Sequence, residues 1–175
     1  KTGGSICWQV GYHVSKDNVT PLDFAAHNVF SEIQSLKLRN RVIWAFEHGL
    51  HARHRFSGRH EVVLWYTKGE SPFNLDAVRI PQRYPGKKSY KGPNKGKLSG
   101  NPLGKNPGDV WHIPNVKGGH IEKTIHPCQF PVALPLAFIR SSCPDGGLVM
   151  DPFMGVGSTG VAAAIENRRF IGSDV

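Results

Sequence analysis

Cysteine is scarce in this chain: three in 175 residues, Cys7, Cys128 and Cys143, with no C-x-x-C pair. An odd, scattered set excludes a disulfide framework and a cysteine zinc site, and it suits a reducing compartment. No run of apolar residues approaches the roughly 18 needed to cross a bilayer, and no basic-then-apolar leader opens the chain, so no membrane partner is expected and the expected location is cytoplasmic. Acidic residues are few, 13 against 22 Lys and Arg, for a net charge of +9. They are missing altogether from residues 77–108, where Arg79, Arg83, Lys87, Lys88, Lys91, Lys95, Lys97 and Lys105 are interleaved with Gly and Pro. The rest of the chain is nearly neutral. What is present, 39% hydrophobic residues with 20 Gly and 13 Pro, describes one globular domain carrying a positive, loop-rich insert suited to an anionic partner.

Apolar, β-rich residues predict strands at Ser5–Val14, Arg41–Phe46 and His60–Thr67, with a short one at Phe73–Ile80. Thr20 and Pro21 read as a cap and a first-turn proline. The helix they open would bury Leu22, Ala25, Ala26, Val29, Phe30, Ile33 and Leu36. Val110–Asn115 reads as a short extended piece and Pro131–Ser142 as a helix in which Pro135 sits in the first turn or kinks it. The final unit is the clearest: strand 147–151, a glycine turn at 153–157, a helix from Ser158 to about Asn167, and a strand from Arg169 to Val175. A strand, turn, helix, strand order makes the sheet at least partly parallel.

The segment DPFMGVGSTG (151–160) puts glycines where a strand must turn sharply into a helix. Without Cβ atoms the backbone can bring a ligand against the free N–H groups of the first helical turn. Asp174 closes the next strand, where an acidic side chain can accept hydrogen bonds from a ribose. A nucleoside-containing cofactor follows. Gly155, Gly157 and Gly160 also satisfy G-x-G-x-x-G, so an NAD-linked oxidoreductase is a rival reading. Asp151 argues for S-adenosylmethionine instead, because a carboxylate before the glycines repels a pyrophosphate but accepts from an amino-acid ammonium.

At this point the chain resembles a known family. DPFMGVGSTGVAAAIENRRFIGSD is similar to the S-adenosylmethionine motif, Asp-Pro-Phe-x-Gly-x-Gly-Thr/Ser-Thr, of the DNA amino-methyltransferases that make N6-methyladenine or N4-methylcytosine. His126-Pro-Cys-Gln-Phe-Pro131 resembles the His-Pro-Thr-Gln-Lys-Pro element upstream of that motif in permuted members, with Cys128 and Phe130 in place of Thr and Lys. Gly3–Gly11 and Arg59-His-Glu61 resemble two further strands of the family. The resemblance implies an α/β, Rossmann-like S-adenosylmethionine-dependent methyltransferase fold with a mostly parallel sheet, here incomplete. Residues 1–76 would form the first part of the core, 77–108 a target-recognition insert and 109–175 the cofactor-binding part. Asp151, Pro152, Phe153, Met154, Gly155, Gly157, Ser158 and Thr159 would surround the methionine portion, Asp174 would take the ribose, and His126, Pro127 and Gln129 would lie near the same pocket. The implied partner is double-stranded DNA, met by the insert's basic residues, and a restriction endonuclease beside it is left open.

One family motif has no counterpart: the catalytic Asp/Asn/Ser-Pro-Pro-aromatic tetrapeptide, for the 175 residues contain no Pro-Pro pair. No catalytic residue is therefore assigned in this chain, which is expected to be inactive alone. In the permuted order the tetrapeptide belongs upstream of Lys1, and a further strand and helix follow Val175. A non-catalytic DNA-binding module stays beside the enzyme as a second reading. His48, His51 and His54 recur every third residue but fall in a predicted polar loop beside Arg53, Arg55 and Arg59, so they read as a DNA-facing or solvated patch and no metal is expected. Glu61 reads as an orienting carboxylate. The four tryptophans read as core.

Overall fold

The computed structural model describes residues 3–174. Its elements are β1 (Gly4–Val10), β2 (Tyr12–Ser15), β3 (Asn18–Pro21), α1 (Leu22–Ser31), β4 (Leu36–Ala45), β5 (His60–Lys68), β6 (Val110–His112), α2 (Ala133–Ser142), β7 (Leu148–Asp151), α3 (Ser158–Ile165) and β8 (Arg169–Gly172). The fold is α/β, as expected, and its main sheet is mixed. Four strands lie in the order β1-β5-β4-β6. β5 is antiparallel to β1 and to β4, and β4 is parallel to β6, so β1, β4 and β6 share one direction and β5 alone is reversed. β7 and β8 form a separate parallel pair, the observed form of the strand, glycine turn, helix, strand unit.

Strand alternation gives the sheet two apolar faces. Val62, Leu64 and Tyr66 point to one side, where Ala26 and Phe30 of α1 cover them together with Trp8. Val42, Trp44, Val63 and Trp65 point to the other, against Leu134 and Phe138 of α2. The opposite side of α2 packs on α3 and the β7–β8 pair, through Ile139 against Ala162 and Ala163, with Leu136, Val149 and Phe170 around them. Pro135 is tolerated because it lies in the first turn, where its missing N–H has no helical partner to lose.

Several boundaries differ from expectation, each for a local reason. The first predicted strand splits after Val10, and a hairpin of β2 and β3 turns through Lys16 and Asp17, both at positive φ. Thr20 is consequently a strand residue opposite His13, and Pro21 caps α1 without any side-chain hydrogen bond. α1 stops at Ser31, and Leu36 instead begins β4, pairing with Lys68 at the far end of the long β5. Only Ala26, Phe30 and Leu36 of the predicted apolar face pack on the core, while Leu22, Val29 and Ile33 are exposed. The strand expected at 73–80 is a 3₁₀ turn at Asp76–Val78, because Asn74 Oδ1 accepts from the Ala77 amide and Arg79 pairs with Asp76. α3 closes on Asn167 at positive φ. β8 ends at Gly172, and the remainder of the expected strand reaches Val175, which lies outside the described residues, as does Lys1.

Trp44 and Trp65 are buried, as expected of core residues, and each satisfies its indole N–H: Trp44 on the Ile113 carbonyl at 2.8 Å and Trp65 on Ser5 Oγ at 3.1 Å. No helix among the described residues is long and apolar enough to cross a membrane. Phe138 packs on the sheet against Trp111 of β6, with ring centroids 4.8 Å apart. Phe138→Ala should lower the unfolding free energy by about 3–5 kcal/mol in urea titrations, because it empties the contact joining α2 to the sheet.

Candidate functional site

The loops that follow β4 and β6 leave the same edge of the sheet, because those strands are parallel. The loop after β6 carries His126 back to Gly155, so the glycine turn after β7 shares that edge. The turn is laced on both sides. Asp151 Oδ1 accepts from the Phe153 amide at 3.1 Å, and Asp151 Oδ2 from the Thr159 hydroxyl at 2.5 Å. The Met154 amide donates to the Ser173 carbonyl, and the Ser173 amide to the Asp151 carbonyl, both at 3.0 Å. Ser158 is buried and donates its hydroxyl to the Phe130 carbonyl at 2.9 Å, tying the start of α3 to the 126–131 segment.

Gly155 and Gly157 have φ of +51° and +82°, the left-handed region that favours glycine. A Cβ on Gly155 would sit 3.6 Å from the His126 ring and 3.9 Å from Asp174 Oδ2, in ordinary contact with both, so the turn brings these two groups to one place. Gly160 serves packing: a Cβ there would meet the Phe170 ring at 2.8 Å. Phe153 stands largely exposed and meets Trp8 of β1 edge-on at 6.1 Å, joining the turn to the four-stranded sheet.

The predicted residues thus divide. Gly155, Asp174 and His126 come together, and Pro152 and Phe153 of the same turn are exposed. His126 Nδ1 meets the Cys128 carbonyl, which leaves the Nε2 edge turned to Gly155. Asp151, Ser158 and Thr159 hold the turn, and Met154 packs its sulfur against Gly172. Gln129 is engaged within its own loop, its Oε1 accepting from Thr124 and its Nε2 donating to the Glu122 carbonyl at 2.7 Å. Pro127 is exposed beside it. The bracing network of Glu122, Thr124 and Gln129 had no signal in the sequence beyond the His-Pro-x-Gln pattern.

The basic insert stays irregular. Left-handed glycines at 86, 92, 96, 104 and 108 turn it, and isolated bridges such as Ile80 to Lys105 hold it. It leaves β5 beside Leu36, at the start of β4, and returns at Val110 beside Ile43, so it spans most of that strand's length. Its lysines are solvent-facing, and Arg83 and Lys87 lie 5.5 and 5.8 Å from the ring of Tyr84. An open cleft of about 1030 Å³ separates its root from the sheet, lined by Lys37, Arg39, Trp65, Trp111 and Phe138 among others, and nothing in the sequence signalled it. Among the described residues no group of three or more His, Cys, Asp or Glu could hold a metal ion.

A family model described as DNA methylase matches residues 1–175. The chain belongs to the DNA methylase family. Its sequence is 46% identical over 177 residues to the type II methyltransferase M.BglII of Bacillus subtilis, covering 100% of this chain and 49% of that protein. The chain therefore spans about half the length of that relative. Solved structures agree on the DNA methylase fold. The cytosine-N4-specific PvuII DNA methyltransferase superposes with a TM-score of 0.76 at 19% identity, over 100% of this chain and 60% of its own. The M1.HpyAVI–SAM complex superposes at 0.62 and 21% identity, over 99% of this chain and 69% of its own.

Glu61 of β5 lies at the same edge and accepts from Gln9 Nε2. Burial pushes its carboxyl above the ordinary 4.5, with the positive charge of Lys117 opposing. The unfolded chain ionises first as pH rises, so this group's contribution to stability is complete below pH 4.5 and is lost as pH passes the folded value. Glu61→Gln should therefore gain melting temperature relative to the wild type between about pH 4 and about pH 8 in thermal melts.

Proposed function

We propose that this chain is the cofactor- and DNA-binding part of a site-specific DNA methyltransferase, one that moves a methyl group from S-adenosylmethionine to the exocyclic amino nitrogen of adenine or cytosine. The observation that carries the reading is that His126 and Asp174 both come within contact distance of Gly155 beside the N-terminus of α3, the place we read as the cofactor recess. An acidic acceptor at the end of the second strand suits ribose hydroxyls, and the first-turn amides of α3 present partial positive charge to a carboxylate. One of the similar structures is a complex with this cofactor. When bound, the cofactor supplies an electrophilic methyl on a sulfonium.

The chain's own residues would then divide the work. Asp174 would hold the ribose. Phe153 would cover the methionine portion, with Trp8 fixing its ring. Asp151, Ser158 and Thr159 keep the turn in shape, and His126 closes the wall opposite Asp174. The insert's lysines and Arg83 would meet DNA phosphates, each able to approach independently on its Gly- and Pro-broken loop, whereas Arg79 is held by Asp76 and the Gly104 carbonyl and braces the insert. We place the amino-accepting Pro-Pro tetrapeptide outside these 175 residues. The absence of any Pro-Pro pair among them supports this.

Titration calorimetry should show S-adenosylmethionine binding and no NAD binding. Gly155→Val should weaken cofactor binding by about tenfold or more and leave DNA affinity in place, because a branched side chain fills the recess and strains a left-handed residue. Labelled-methyl transfer to duplex DNA should be weak or absent with these 175 residues alone. Robust transfer would disprove the placement of the tetrapeptide elsewhere. DNA affinity should fall steeply with salt, and replacing Lys87 and Lys88 by Ala should lower the slope of log Kd against log salt by about two.

A further inference from the structure

Two loops at the cofactor edge hold apolar side chains out in solvent. Leu50 is 95% exposed and Phe56 100%, both in the loop after β4, and Ile121 is 98% exposed and Ile125 wholly so, in the loop after β6. Scattered apolar residues are ordinary on a surface, but four such side chains on two joined loops are not. The loops are joined where Asn115 Nδ2 donates to the His48 carbonyl at 3.0 Å.

The backbone beneath the tips is braced from within. Arg59 donates to the Leu50 carbonyl at 3.1 Å and to the Gly58 carbonyl at 2.8 Å. Arg55 donates to the Phe56 carbonyl at 3.1 Å, and the Ala52 amide to Ser57 Oγ at 3.0 Å. The Tyr12 hydroxyl occupies the place a side chain would take at Gly58, 1.4 Å from the Cβ position. Arg55 and Arg59 thus brace the loop from within while Leu50 and Phe56 stand out in solvent.

Charge selects the occupant. Residues 46–59 and 113–126 together carry Arg53, Arg55, Arg59, Lys117 and Lys123 against Glu47 and Glu122, with five histidines among them. Apolar tips on loops that also expose Arg53, Lys117 and Lys123 suit a polyanion with an apolar interior, which is duplex DNA: its phosphates meet these three cations, and its base stack admits Phe, Leu or Ile as a wedge. We propose that these two loops form a second DNA-contacting surface, separate from the basic insert, whose tips press into the duplex beside the cofactor recess. The proposal rests on the reading of this protein as a DNA methyltransferase. Extruding a base requires unstacking, and a side chain that fills the opened step offsets that cost.

The test is duplex binding by fluorescence anisotropy across a salt series, on the wild-type protein, on Leu50→Ser with Phe56→Ser, and on Ile121→Ser with Ile125→Ser. Each double variant should raise Kd by about tenfold at every salt concentration while leaving the salt slope and the melting temperature unchanged, because the lost contact is apolar and the side chains touch nothing in the free protein. Unchanged affinity in both variants, with the wild type binding DNA, overturns this inference alone. A wild type that binds no duplex overturns the methyltransferase reading with it. A lowered melting temperature, or a wild-type dimer in sedimentation that the variants lose, shows protein covering the tips and also overturns the proposal.

Discussion

Helix α2 is the constraint on which the arrangement depends, because it alone buries residues on two opposite sides. Leu134 and Phe138, one turn apart, pack on the sheet, while Ile139 and its neighbours Leu136 and Cys143 pack on α3 and β7–β8. A ten-residue helix with apolar residues on both faces cannot sit at a surface, and it positions whatever lies on either side of it. Here it sets the strand pair carrying the glycine turn against the four strands carrying the edge loops. Smaller ties supplement it, among them Ser158 to Phe130 and the edge-on contact of Phe153 with Trp8. The recess is therefore as well defined as the packing of one helix.

Within the recess the division between holding and binding runs against first intuition. Asp151 is the acidic residue nearest the glycines, yet both its oxygens are engaged by the turn itself. A carboxylate accepting from a backbone amide and a hydroxyl is worth more as a brace than as a weak, exposed ligand, and each oxygen retains a lone pair toward the recess. What the turn presents outward is mostly backbone and shape: left-handed glycines, the amides of α3 and an aromatic rim. Affinity for a nucleoside cofactor then depends on a geometry that Asp151, Thr159 and Ser173 keep from relaxing.

Much of this was legible in the sequence, and the reasons are particular. The unit from Leu148 to Gly172 declared itself because a glycine turn between β-rich and Ala-rich segments has few alternatives. β5 was legible because VVLWY buried on both faces leaves no polar alternation to misread. The β2–β3 hairpin was not, since its turn uses Lys16 and Asp17 at positive φ in place of glycine. The start of β4 was missed because LKLRN alternates like an amphipathic surface while its pairing is set by the length of β5, a tertiary matter. In the site, glycines and the aspartates were readable as residue types, but the roles of Gln129 and Ser158 depend on carbonyls brought near by folding. Composition likewise marked the loop after β4 as polar, and could not show that Arg55 and Arg59 turn to its own carbonyls while Leu50 and Phe56 turn out.

The two charged regions act over different distances on the reading advanced above. The insert concentrates eight cations, of which Arg79 is paired with Asp76, on a segment with little regular structure, so its attraction extends through solvent for about a Debye length, roughly 8–10 Å at physiological salt, and needs no fixed pose. The edge loops carry less net charge on a braced frame, and apolar tips gain nothing until they are in contact. An irregular, highly charged arm therefore suits encounter, and a rigid, sparsely charged edge suits registration beside the cofactor. Exchanging the two would fail on physical grounds: a flexible arm cannot hold a wedge against the unstacking cost, and inward-turned arginines cannot reach for a distant phosphate.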